Sequence, residues 1–144
     1  DGDDYWLYAT HSNSIPTVSS ATSNGDVANP GQDVVNYAFG ADWNGQNGNV
    51  TTVGSAGSTS FYGAFDMNGN VWEWNETLIF SDRGLRGGSF INSESVLRSS
   101  VRESNFPSFE ISNVGFRLAS PVPGPGSVAL LAVGAPLLAR RRRR

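Results

Sequence analysis

The chain is 144 residues long, has a formal net charge of −3, and contains 17 glycines, one histidine and no cysteine. Without cysteine, disulfides, thiolate metal sites and thiol catalysis are excluded from this stretch. There is no lysine and the last five residues are arginines, so the body carries five arginines against thirteen carboxylates, a net of −8, which argues against a nucleic-acid partner.

In chain order, Tyr5-Trp6-Leu7-Tyr8 is an aromatic run that predicts a strand, followed by a loop to Pro16. Residues 19–36 are rich in Ser, Asn, Gly and Pro and predict a surface loop. Val34 to Phe39 alternates apolar and polar residues, the period of a short strand. Residues 42–60 are again rich in Gly and Asn, and Tyr62 to Trp74 is the densest apolar and aromatic stretch. Arg83 to Phe90 and Val114 to Leu118 predict further strands. Glu94 to Glu103 predicts a short helix or an irregular turn. No repeat is visible, and no periodic segment is long enough for a long helix. Surplus carboxylates among Asn and Gly suit calcium or solvent. The domain is expected to occupy 1–120, a Pro/Gly linker 121–126, and an apolar run with an arginine cluster 127–144.

The linker has three prolines and two glycines in six residues, Pro121 to Gly126, so neither a helix nor a sheet ladder can include it. The apolar run Val128 to Ala139 would make roughly 20 Å of helix at 1.5 Å per residue, short of the roughly 30 Å hydrocarbon core. Gly134 and Pro136 weaken it further. Arg140, Arg141, Arg142, Arg143 and Arg144 follow, and the positive-inside preference keeps them cytoplasmic while the body is exported. Export requires a signal peptide, so a further N-terminal part is expected ahead of Asp1. The layout resembles the PEP-CTERM sorting signal of Gram-negative bacteria, with Pro123 and Pro125 in its Val-Pro-Glu-Pro motif and Gly124 in place of the glutamate. The resemblance implies an exosortase-type sorting enzyme as partner, anchoring in the inner membrane, and release to the envelope or the outside after processing. Gly124 bears on the cutting more than on the targeting.

Three further pieces are Tyr62-Gly-Ala-Phe-Asp-Met-Asn-Gly-Asn-Val-Trp-Glu-Trp74, Arg86-Gly-Gly-Ser-Phe90 and Asn113-Val-Gly-Phe-Arg-Leu118. Each alone has an ordinary explanation: a turn at Gly69-Asn70, core tryptophans, a bulge at Gly87-Gly88. In this order and spacing they resemble the C-terminal half of the formylglycine-generating enzyme (sulfatase-modifying factor) family, over roughly residues 5–119. The resemblance implies an α+β fold, a loop-rich variant of the C-type lectin fold with short strands. It also implies structural calcium held by the side chains of Asp66 and Glu73 and the carbonyls of Gly69 and Val71, an oxygen-only set suited to a hard cation. A second calcium site falls near Asp42 and Trp43, with a further ligand from the Asn47 to Asn49 loop. The alternative for Glu73 is an ion pair with an arginine such as Arg86.

The family's oxidases use two cysteines with copper, and those positions fall on Asn92 and Leu97. Neither supplies a thiolate, so copper is not expected here. His11, the one histidine, has no spacing that suggests a catalytic group. The polar segment from Ile91 to Ser112 corresponds to the ligand-binding surface of lectin-like folds. Asn92, Ser93, Ser95 and Asn105 offer adaptable hydrogen bonds, and Phe106 and Phe109 offer stacking; the alternative is a solvated loop. The expected function is an exported, membrane-sorted, non-catalytic binding or structural module of the bacterial envelope. Two alternatives stand beside it: an oxidoreductase with its catalytic residues upstream, and a lectin-like module for envelope glycans.

Overall fold

The structure is a computed structural model that describes residues 5–118. Its regular elements are short: β1 (Thr17–Val18), β2 (Val34–Val35), β3 (Trp72–Ile79), β4 (Asp82–Arg86), a four-residue 3-10 turn (Glu94–Leu97), β5 (Glu103–Asn105) and β6 (Val114–Gly115). β1 pairs parallel with β2, Thr17 opposite Val34. The main sheet has the order β5-β4-β3-β6, antiparallel except for the parallel β3–β6 pair. As expected, the described residues form a loop-rich fold with short strands; their regular structure is almost all sheet, so the helical part of the expected α+β class is reduced to one turn. Among the described residues the only helical piece is the 3-10 turn.

Backbone geometry explains where the predicted strands stop. Tyr5 to Tyr8 forms no strand: Tyr8 makes a single bridge to Ser12, and the left-handed His11 between Tyr8 and Ser12 turns the chain back before a ladder can start. The strand expected over Val34 to Phe39 shrinks to Val34–Val35, because Ala38 and Phe39 adopt φ of 51° and 58°. The strand expected over Arg83 to Phe90 ends at Arg86, where Gly87 and Gly88 take φ of 88° and 72°. A Cβ on Gly88 would sit 2.7 Å from Leu97 Cδ2, so this turn needs a residue without a side chain.

The core is small and divided. Tyr8, Val35, Tyr37 and Leu97 form one buried cluster, and Val27, Val34 and Ala56 another. Buried asparagines fill the gaps left by so little ladder. Asn70 Oδ1 accepts the Thr51 N–H at 2.9 Å and Asn36 Nδ2 at 3.1 Å, while Asn70 Nδ2 donates to the Thr51 carbonyl at 3.2 Å. Asn68 bridges likewise, taking the Ala9 N–H and giving a hydrogen bond to the Leu97 carbonyl, both at 2.6 Å. Each amide stands in for a neighbouring strand and satisfies backbone groups that burial would otherwise penalise. Trp72 is buried and Trp74 half-buried.

Candidate functional site

The segment from Asp66 to β3 winds tightly, with Asp66, Gly69 and Asn70 at φ of 52°, 69° and 60°. A Cβ on Gly69 would run into the Asn36 carbonyl and Val35, so only glycine fits there. The winding brings Asp66 and Glu73 to one guanidinium, that of Arg117. Arg117 Nε donates to Glu73 Oε1, and its Nη2 donates to the Asp66 carbonyl at 2.9 Å. Asp66 Oδ2 also accepts the Gly54 N–H at 2.7 Å. Burial pushes both carboxyls above the usual carboxylate range, and Arg117 opposes the rise at each. The Gly54 N–H opposes it further at Asp66, while the Asp66 charge adds to it at Glu73.

Glu73 faces Arg86 in the β3–β4 register. Even so, Arg86 Nη1 donates to the Val101 carbonyl at 2.6 Å, and the ion-pair partner of Glu73 is Arg117. The alternative of an ion pair between Glu73 and an arginine is therefore met, by Arg117 rather than by Arg86, the example first offered. The missed residue belongs to one of the three motif pieces, but its role depends on β6 lying parallel to β3 with Gly115 opposite Glu73, which spacing does not reveal.

At this point Arg117 already supplies the positive charge: Glu73 Oε1 and the Asp66 carbonyl accept from its guanidinium and Asp66 Oδ2 accepts the Gly54 N–H, so a hard cation would compete with these donors. Two carboxyls held up by burial are stabilised by any positive charge beside them, and the Gly69 and Val71 carbonyls take no hydrogen bond from a described residue. Among the described residues no three acidic or histidine side chains cluster around a point, so those carbonyls would be required. Near Asp42 the fit is poorer. Asp42 is exposed, the Trp43 carbonyl takes the Gln46 N–H at 3.3 Å, and Asn49 Oδ1 takes the Val50 N–H at 2.8 Å. The oxygens beside Asp42 are thus committed to their own loop.

A second feature is a cleft of about 290 Å³, with walls that include Trp72, Asn92, Glu103, Asn105, Phe109 and Asn113. Ser89, fully buried, ties its floor together. Its Oγ donates to Asn92 Oδ1 at 2.7 Å and accepts from Asn113 Nδ2 at 3.2 Å, and its N–H donates to Asn92 Oδ1 at 2.9 Å. Asn113 Oδ1 is buried without a partner. Of the expected ligand residues, Asn92 and Asn105 line this cleft. Ser93 and Ser95 do not; their hydroxyls bond each other at 2.9 Å. The exposed Phe106 does not either, and Phe109 supplies the aromatic wall. Leu97, the second position equated with an oxidase cysteine, is fully buried in the core. Pro123, Pro125 and Arg140 to Arg144 lie outside the described residues, and among the described residues no helix is long and apolar enough to cross a membrane.

Residues 6–122 match the family described as Sulfatase-modifying factor enzyme 1-like domain. No curated protein matches the chain. Among solved structures, Treponema denticola variable protein 1 is similar at 25% identity with a TM-score of 0.42, over 56% of this chain and 34% of that one. The match thus spans about a third of that neighbour's length.

Proposed function

The chain belongs to the Sulfatase-modifying factor enzyme 1-like domain family, and from that premise we propose a non-catalytic binding module of the bacterial envelope that takes a hydroxyl-rich ligand in the Trp72–Asn113 cleft. The observation that carries the reading is the fate of the two positions equated with the oxidase cysteines. Leu97 is sealed in the core beside Tyr8, Val35 and Tyr37. Asn92 is a structural acceptor for Ser89 whose residue still borders a cleft. A thiol pair has been exchanged for a core residue and a cleft wall, which keeps a pocket without its chemistry. Glu103 and the asparagine amides can bridge vicinal hydroxyls, and Phe109 offers an apolar face to a sugar ring while the buried Trp72 backs the cleft.

Calcium, in this reading, is structural. Asp66, Glu73 and the Gly69 and Val71 carbonyls would hold it and pin the turn that precedes β3. The C-terminal segment would sort the exported body to the inner membrane, where an exosortase-type enzyme would process it. Two measurements test the binding claim. The chain incubated with copper and a Cys-X-Pro-X-Arg peptide should form no aldehyde; formation at enzyme-like rates would favour the oxidoreductase alternative. A glycan array should give hits that Asn105→Ala and Phe109→Ala weaken; an array without hits would remove the envelope-glycan reading.

A further inference from the structure

We propose that the end of the sheet formed by the β3–β4 turn and the residues after β6 is a lipid-contacting edge that seats the body on the membrane. The inference rests on the sorting reading above and adds to it a surface of the folded body. Leu78 is 64% exposed, Phe80 99%, Phe116 73% and Leu118 90%. Phe80 sits at the tip of the β3–β4 turn with a left-handed φ of 57°, at a place where glycine or asparagine is the usual residue. A large apolar ring in that conformation, with no protein contact to hold it, is stabilised by nothing within the described fold.

Topology puts these four residues at one end. β6 runs parallel to β3, with Val114 opposite Trp72 and Gly115 opposite Glu73. The chain after Gly115 therefore advances along β3 towards the turn at Phe80. Phe116 and Leu118 border a cleft with Trp74, Glu76 and Arg83, and Arg83 is the register partner of Leu78. The described chain thus stops, at Leu118, on the side of the sheet towards Phe80.

The sequence beyond Leu118 says what covers this edge. Nine residues separate Leu118 from the apolar run that starts at Val128, a reach of at most roughly 35 Å at full extension. That is about one diameter of a domain of this size, so a bilayer that takes up the run holds the body within that distance, and Leu118 is the described residue nearest to it along the chain. The run is too short to span by itself, and an anchor of marginal length gains stability from a second apolar contact. Charge agrees. The body is acidic, with a net of −8, and its carboxylate-rich faces are repelled by an anionic bilayer. This edge carries little of that charge: Arg83 is paired with Glu76 at 3.4 Å and Arg117 with Glu73, and Asp82, which accepts from the Ser81 and Ser104 hydroxyls, is the one further carboxylate beside the turn among the described residues.

The absence of cysteine makes the test clean. The 144-residue chain bearing Phe80→Cys, with an environment-sensitive nitrobenzoxadiazole label, is reconstituted by detergent removal into vesicles of equal phosphatidylethanolamine and phosphatidylglycerol. A label at Tyr62→Cys, on the Thr59–Phe65 loop outside this sheet, is the comparison. Expected are flotation of both, a blue shift and quenching by a lipid-borne nitroxide at Phe80→Cys, and a water-exposed signal at Tyr62→Cys. The unlabelled double variant Phe80→Ser/Leu118→Ser should fold as the parent does, since both side chains are exposed, and should partition into vesicles about tenfold less. Flotation with an aqueous Phe80 label, or equal signals at both sites, overturns the edge and leaves the sorting reading standing. Failure of the parent chain to float overturns both.

Discussion

Arg117 is the residue on which the Asp66–Glu73 point turns. Two carboxyls with pKa values raised by burial bind more protons folded than unfolded in the carboxylate range. Their contribution to stability is full below the unfolded values and is lost as pH rises through the raised folded ones. Arg117 opposes that loss because its charge favours the ionised forms. In metal-free buffer, Arg117→Met should therefore lose more melting temperature than the parent between about pH 4 and pH 8, and Glu73→Gln in the same background should recover part of it. Parallel pH profiles for parent and Arg117→Met would show that the guanidinium does not carry this charge. Calcium, in the reading proposed above, would favour the ionised forms of the same carboxylates. At a hundredfold excess over Kd it would add about 2.7 kcal/mol to the folded state. It should raise the melting temperature of Arg117→Met at least as much as that of the parent, and Glu73→Ala should abolish the rise. Identical melts in calcium and EDTA would remove calcium from the account.

At the scale of elements, β3 is the piece around which the rest is arranged, and its two tryptophans are not equivalent. Trp72 is 8% exposed and backs onto the cleft, whereas Trp74 is half-buried beside Phe116. Trp72→Ala should cost about 3–5 kcal/mol, a large share of a domain total of about 5–15 kcal/mol, and leave little cooperatively folded protein. Trp74→Ala should cost below about 2 kcal/mol, in line with the smaller area it removes from water. Chemical denaturation of the two variants separates them; equal midpoints would mean that β3 presents both rings alike. The sequence pattern located this element only approximately. Apolar density begins at Tyr62, but the backbone from Gly63 to Asn70 repeatedly enters the left-handed region, so the ladder starts at Trp72 and continues through Asn75, Glu76 and Thr77. Those polar residues hide the strand because one of its faces is open to water. The two-residue β1 was not legible at all. Thr17 and Val18 carry no period of their own and become a strand only because Val34 and Val35, distant in sequence, lie beside them.

At the scale of the whole molecule, what could be read in advance was the set of motif pieces, and what could not was how they meet. Gly-Asn-Val-Trp-Glu-Trp, Arg-Gly-Gly-Ser and Gly-Phe-Arg marked the family, yet the pairing of Glu73 with Arg117 bridges 44 positions and follows from a parallel strand pair. The cleft was half legible: Asn92 and Asn105 were singled out for their chemistry, while Trp72, Glu103 and Asn113 join them through sheet order. The tail lies outside the described residues, and its proposed sorting role rests on its sequence alone. Its apolar run is short and interrupted, so any hold on a bilayer would depend on the arginines. Each should add roughly 1 kcal/mol of attraction near anionic headgroups and fix the orientation of the segment. Residues 121–144 fused to an exported reporter should carry it to the membrane fraction, and serine in place of Arg140 to Arg144 should release or mislocalise it. In a host with an exosortase-type enzyme, a smaller released form should appear as well. A fusion that stays wholly soluble in the periplasm would reduce the tail to a basic appendage, because an apolar run that short, without its charges, has nothing else to hold it at the bilayer.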